Sequence, residues 1–208
     1  MELRPHDLLR IRGMEDLYQE LPFPDWAKDS IWRTPWVVVR RAMDRSGFIP
    51  VGIRGIQRGL RCAAWLSPIK IIEVISPALL VDPTGWAAIY RDDRPAPVQS
   101  LLSITPLLDH TGFEWGPTGS LGFELATGIP SIKPNSDLDL VVEVPQPISI
   151  PAARSLLAGM EALSTVRLDV QMNTPAGGVA WKEYCKTQQV LVKTAIAPVL
   201  RKKYTLWD

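Results

Sequence analysis

The stretch from Leu138 to Met172 constrains this chain more than any other. It reads LDLVVEV, then a segment containing IPAARSLLAGMEAL, then VRLDVQM. The first run is strongly strand-forming. The last alternates, with Val166, Leu168, Val170 and Met172 on one face and Arg167, Asp169 and Gln171 on the other. Between them Ile150–Leu163 is a helix, and Pro151 is acceptable in its first turn. A strand-helix-strand unit of this kind can set its two strands side by side.

The rest of the chain is cut more finely. Nineteen prolines keep the elements of the first half short. Trp36–Arg40, Phe48–Arg54, Arg61–Leu66 and Ile71–Ile75 are β-branched or aromatic runs bounded by Pro or Gly, and read as strands. Arg91–Pro97 (RDDRPAP) reads as a linker. After it Val98, Leu101, Leu102 and Leu108 recur at helical spacing as far as Asp109, with Pro106 bending or restarting the helix. Phe113–Trp115 is a further strand, Gly177–Lys186 a short helix and Gln189–Lys193 a last strand. The expected class is α+β in two parts: a mixed or mainly β domain over residues 1–95 and a second domain over 96–208. A chain of 208 residues has room for two small cores.

Composition excludes several classes. Apolar and charged fractions of 46% and 22% are those of a globular protein. No uncharged apolar stretch approaches the ~20 residues of a membrane helix. The start, MELRPHDLLRIRG, lacks the apolar segment of a signal peptide. Two distant cysteines, Cys62 and Cys185, cannot build a disulfide framework, so a reduced, cytoplasmic protein is expected. Two histidines, His6 and His110, and no CxxC argue against a zinc site. Net charge is +1, but Arg33 to Lys70 holds eight basic residues against Asp44 alone, which is +7 and leaves −6 elsewhere. Either these residues form a basic surface for an anionic ligand or acidic partner, or separate arginines solvate different faces.

Chemistry concentrates in Asp137-Leu138-Asp139. On a strand, residues i and i+2 share a face, so both carboxylates point one way while Leu138 and Leu140 point into the core. Such a pair repels itself, and a divalent cation removes the penalty. Mg²⁺ favours one or two carboxylates together with phosphate oxygens and water. The alternative is a surface turn capped by its aspartates. Upstream, a turn at Gly119-Ser120 offers backbone N–H groups and a hydroxyl to phosphate oxygens. Gly122 and Gly128 either allow close approach to a ligand or serve turn geometry alone, the reading that Pro130 favours for Gly128. Ser120 could equally cap a helix. Asp169, on the polar face of its strand, is placed to supply a third carboxylate.

A strand, Gly-Ser, Ser-Asp-x-Asp and a later Asp together resemble the nucleotidyltransferase superfamily that shares the polymerase-β-like core. The interval of seventeen positions from Ser120 to Asp137 is longer than usual there. WGPTGSLGFELATG followed by SDLDL resembles a narrower group, the malonate decarboxylase holo-acyl carrier protein synthases, or phosphoribosyl-dephospho-CoA transferases. PHDLLRI, PWVVVRRA, VGIRGIQRGLRCAAW and VLVKT resemble the same group, so the likeness runs from about residue 4 to residue 194.

The resemblance implies a polymerase-β-like nucleotidyltransferase core in the C-terminal half, with a smaller strand-rich N-terminal domain. It implies transfer of phosphoribosyl-dephospho-CoA from triphosphoribosyl-dephospho-CoA to a serine of the malonate decarboxylase acyl carrier protein, with release of pyrophosphate. Two Mg²⁺ ions on Asp137, Asp139 and Asp169 would serve that reaction, and Gly119 and Ser120 would grip the pyrophosphate. Arg54, Arg58 and Arg61 are the first candidates for the donor phosphates or the carrier. In a continuous strand Arg54 and Arg58 share a face and Arg61 points away. Lys193 could reach the phosphates or simply snorkel from a strand end. No nucleic acid or membrane is implied as partner. His6-Asp7 resembles part of the family's N-terminal motif, and Asp7 suits a helix N-cap before Leu8-Leu9. Two other functions use the same residues: AMP transfer from ATP to a protein, RNA or small molecule, and carrier-protein binding without catalysis.

Overall fold

In the first half, β-branched residues at every second position of a strand bury one face of a sheet. The computed structural model describes residues 3–43, 45, 47–57, 59–91 and 93–208. Its first sheet has strands β1 (Leu8–Arg10), β2 (Leu17–Tyr18), β3 (Trp36–Val39), β4 (Ile49–Arg54), β5 (Arg61–Leu66) and β6 (Glu73–Ile75), in the order β2-β5-β4-β3-β1-β6. All of its pairings are antiparallel. Val37, Val39, Val51, Ile53, Ala64 and Leu66 form a core with Ala27 and Ile31 of α1 (Asp25–Arg33). Short strands suffice here because β3, β4 and β5 each contribute two buried side chains to the same layer.

The second sheet has β7 (Trp115–Pro117), β8 (Leu138–Glu143), β9 (Leu168–Thr174), β10 (Gly177–Ala180), β11 (Gln189–Lys193) and β12 (Pro198–Lys202), in the order β12-β11-β10-β9-β8-β7. The helices of this half are α2 (Pro83–Ile89), α3 (Ala96–Asp109), α4 (Gly119–Thr127), α5 (Ile150–Leu163) and α6 (Trp181–Lys186). The strand-helix-strand expectation holds: β8 and β9 are parallel neighbours joined through α5, in register from Leu138↔Leu168 to Glu143↔Asn173. Leu138, Leu140, Val142, Leu168, Val170 and Met172 pack in one core with residues of α3, α5 and α6. Their neighbours at alternate positions, Asp139, Glu143, Gln171 and Asn173, lie on the opposite face. The molecule is thus α+β, with two sheets and six α-helices among the described residues.

Several expectations change. Asp7 caps no helix: Leu8–Arg10 is a strand, and the Asp7 carboxylate instead accepts the Arg4 N–H at 2.8 Å, closing a tight turn before it. Gly177–Lys186 is not one helix. Gly177, at φ +133°, and Gly178 pair in β10 against β9, and the helix begins only at Trp181. α3 runs through Pro106 without interruption. Trp86 and Tyr90, just before the expected linker, pack into the second core. Among the described residues, no helix is long and apolar enough to cross a membrane.

Candidate functional site

Two adjoining cavities, of about 840 and 560 Å³, lie where the polar face of the second sheet meets the first sheet. Arg54, Arg61, Gly119, Phe123 and Asp139 line both, and Ser120 and Asp137 line the smaller. Six of the nine residues singled out from the sequence as catalytic or substrate-binding therefore reach one cleft margin. Lys193 lines the larger cavity. Asp169 lines neither, although it is exposed and stands directly opposite Asp139 in the parallel ladder. Arg58 lies outside the described residues.

The carboxylate pair sits where β8 begins. Asp137 precedes the strand and Asp139 is its second residue, while Leu138 and Leu140 are buried beside them. The Gly-Ser turn proves to be the start of α4. Thr118 donates its N–H to the Asp139 carbonyl at 2.9 Å, and the helix follows at once. Gly119 has φ +62°, and a β-carbon there would collide with the Asp139 carboxylate. Only a glycine lets that carboxylate rest against the first turn of the helix.

The unusual interval between Ser120 and Asp137 also acquires a shape. Its first part is α4, which ends at Gly128 in the left-handed conformation. The remainder folds back and is pinned by Glu124, whose carboxylate accepts the N–H groups of Ser131 (2.6 Å) and Ile132 (2.8 Å) and the Tyr90 hydroxyl (2.8 Å). Burial, then the Glu124 carboxylate, pushes the Tyr90 phenol well above its ordinary range, so Tyr90 remains a donor. A second clasp joins Lys133 N–H to Ser136 Oγ at 2.9 Å. Helix plus clasped loop returns the chain to Asp137 beside its starting point.

The first sheet contributes Arg54 from the end of β4. Its guanidinium donates to the Gly119 carbonyl at 2.7 Å and the Ser120 hydroxyl at 2.6 Å, and lies 5.4 Å from the centroid of the Phe123 ring. Burial, then neighbouring Arg61, lowers the Arg54 pKa, and Asp139 opposes the shift. Arg54 and Arg61 are direct cross-strand partners and share a face. The expectation that Arg61 points away fails because the strand ends at Arg54 and the chain turns back before Arg61.

A polar seam escaped the sequence reading. Gln171 and Asn173 are buried polar residues on β9. Gln171 Nε2 lies 3.0 Å from Asn173 Oδ1 and 2.9 Å from His6 Nε2, and its carbonyl oxygen accepts from Lys193 Nζ at 3.0 Å. Arg41 donates to Asn173 Oδ1 and to the Lys193 carbonyl, each at 2.8 Å. The signal was present: the polar face of VRLDVQM continues through Gln171 to Asn173, and two buried amides need partners from elsewhere.

His6 is therefore held neutral. Burial first, then Arg41 and Lys193, lowers its pKa from 6.5 to about 4. Between these values the unfolded chain binds a proton that the folded chain refuses, so stability is full above pH 6.5 and falls toward pH 4. The loss is on the order of 3 kcal/mol. His6 also has φ +83°, which asparagine tolerates better than most residues. Melting temperatures of His6→Asn should lose most of this pH slope between 4 and 6.5, and an unchanged slope would assign it to other groups.

The donor set suits a hard cation. Asp137 and Asp139 offer carboxylate oxygens, with no thiolate or imidazole beside them among the lining residues of the smaller cavity. Among the described residues no three His, Cys, Asp or Glu side chains are grouped to hold a metal. A cation here would thus take one or two carboxylates from the chain and its remaining oxygens from phosphate and water, the usual Mg²⁺ arrangement.

Comparison with known proteins gives a consistent answer. A family model described as the phosphoribosyl-dephospho-CoA transferase MdcG N-terminal domain matches residues 4–77. The corresponding C-terminal domain model matches residues 86–204. Curated proteins named phosphoribosyl-dephospho-CoA transferase are similar over nearly the whole length. That of Pseudomonas putida (strain W619) is 38% identical over 196 residues, covering 93% of this chain and 90% of the relative. That of Pseudomonas fluorescens (strain Pf0-1) is 40% identical, covering 91% and 88%. That of Klebsiella pneumoniae (strain 342) is 37% identical, covering 92% and 91%. No solved structure matches.

Proposed function

The chain belongs to the phosphoribosyl-dephospho-CoA transferase family and is a transferase, and on that premise we propose how its residues carry the transfer. The donor is triphosphoribosyl-dephospho-CoA and the acceptor a serine hydroxyl of the malonate decarboxylase acyl carrier protein. The observation that carries this reading is the meeting of Asp137, Asp139, Gly119, Ser120 and Arg54 at one cleft margin. It supports a polymerase-β-like nucleotidyltransferase core in the second half, to which the first sheet adds cationic side chains.

The serine oxygen attacks the phosphorus nearest the ribose, a phosphodiester forms, and the bond to pyrophosphate breaks. Ser120 and the start of α4 receive the leaving pyrophosphate, whose charge Arg54 offsets. Arg54 is already fixed by its bonds to Gly119 and Ser120, so little reorganisation accompanies the reaction. Asp137 and Asp139 would hold Mg²⁺, with Asp169 as the third carboxylate. Bound there, two such ions would neutralise phosphate charge and lower the barrier to charge transfer onto pyrophosphate. Asp169, across the ladder from Asp139, would accept the proton of the serine. No covalent intermediate on the enzyme is required.

Mass spectrometry of the carrier subunit after incubation with this protein, Mg²⁺ and the donor tests the reading. The expected result is a mass increase equal to one phosphoribosyl-dephospho-CoA, with one pyrophosphate released per carrier modified. Pyrophosphate release with ATP and none with the CoA derivative would sink it in favour of adenylyl transfer.

A further inference from the structure

The larger cavity extends well beyond the reactive carboxylates, and its far end is also basic. The registers of the first sheet lay out its floor. At one end stands the Arg54↔Arg61 pair. Gly52 follows on β4, flanked by Val38 and Ala63, which makes a flat row with little side-chain height. Beyond it comes the Pro50↔Trp65 pair, with the Arg40 guanidinium 5.4 Å from the Trp65 ring centroid. From Arg54 to Pro50 is four residues, or roughly 13 Å of strand. Two cationic rows are thus separated by an apolar row on one face.

Two more cations stand at the Arg40 end: Arg41, just past the end of β3, and Lys193 at the end of β11. Arg41 is clamped by Asn173 and the Lys193 carbonyl, and a β-carbon at Gly178 would press into its guanidinium. Lys193 Nζ is tethered to buried Gln171. Among the described residues no carboxylate lies within ion-pair distance of Arg40, Arg41 or Lys193. Burial lowers the pKa of both arginines, Glu143 only partly offsetting this for Arg41. Three cations gathered in a cavity and held by neutral partners are an unfilled anion requirement.

We propose that Arg40, Arg41 and Lys193 form a second anion subsite that binds the diphosphate of the donor's dephospho-CoA portion. The nucleoside then lies over the Val38-Gly52-Ala63 row, and the ribosyl triphosphate reaches Arg54, Arg61 and the carboxylates. This rests on the transferase reading. It adds the direction in which the donor lies and puts the pantetheine arm beyond the Arg40 end of the cleft. It also accounts for part of the uneven charge: Arg40, Arg41, Arg54 and Arg61 serve two phosphate groups of one ligand.

Dephospho-CoA without the triphosphoribosyl group is the test probe, with adenosine as the probe lacking a diphosphate. Titration calorimetry on the full chain should show dephospho-CoA binding. Arg40→Gln and Lys193→Gln should each weaken it about tenfold or more, as expected for hydrogen bonds to charged groups. Adenosine affinity should stay within about twofold in the same variants, and their melting curves report folding separately. Wild-type affinity for dephospho-CoA in both variants overturns the proposal, as does failure of the wild type to bind that probe. If the wild type binds dephospho-CoA through these residues yet leaves the carrier unmodified, the subsite stands and the transfer reading falls.

Discussion

Asp139→Asn is expected to reduce prosthetic-group transfer at least about a thousandfold while leaving the protein folded. The change keeps the shape of the side chain and removes one negative charge where a hard cation and a polyphosphate would meet. A metal clamp contributes several kcal/mol of charge stabilisation in such reactions, and ~4 kcal/mol corresponds to about three powers of ten in rate. Folding should suffer little, because the core contacts of β8 come from Leu138, Leu140 and Val142 on the other face. The loss should fall on kcat more than on KM, as Arg54 and Arg61 would still attract the donor. Asp169→Asn should reduce the rate less, by about ten- to a hundredfold, since it lies across the ladder and outside both cavities. Full activity of the Asp139 variant removes the metal proposal, and full activity of the Asp169 variant moves the third ligand elsewhere.

Where one element dictates its own conformation, the sequence was readable. Ile150–Leu163, Arg61–Leu66 and Gln189–Lys193 have the same limits in the structure as in the sequence reading. Local pattern was enough because hydrophobic period, prolines and flanking turns all agree there. α4 was missed because GSLGFELAT carries two glycines, which local propensity assigns to turns. Tertiary packing overrides this: Leu121 enters the second core, and Phe123 clusters with Leu8 and Trp36 across the cleft. β12 was missed because all five of its residues are exposed, so it carries no burial signal. Its pairing with β11 is set by the backbone. At the site, spacing alone could link Asp137 to Asp139. It could not show that Arg54 reaches Ser120, sixty-six positions away. Nor could it show that Asn173 binds Arg41, because such a pair depends on how two sheets face each other.

Gly119→Ala should also be strongly damaging, by about a hundredfold in transfer, for a different reason. The added β-carbon falls on the Asp139 carboxylate, so either the carboxylate or the start of α4 must move. Moving the helix shifts both acceptors of Arg54, the Gly119 carbonyl and the Ser120 hydroxyl. Moving the carboxylate takes it from its place beside Asp137. A displacement of about 1 Å in such a constellation costs on the order of a hundredfold in rate. The left-handed φ of +62° adds about 1–2 kcal/mol of strain, which in a chain of this size lowers the melting temperature by roughly 2–8 °C. Gly128→Ala separates the two effects. Gly128 has φ +71° at the other end of the same helix, but its β-carbon would meet nothing within 4 Å. It should show a similar fall in melting temperature with transfer activity kept within about threefold. Equal activity losses in the two variants would attribute the effect to strain in α4 rather than to the contact between Gly119 and Asp139.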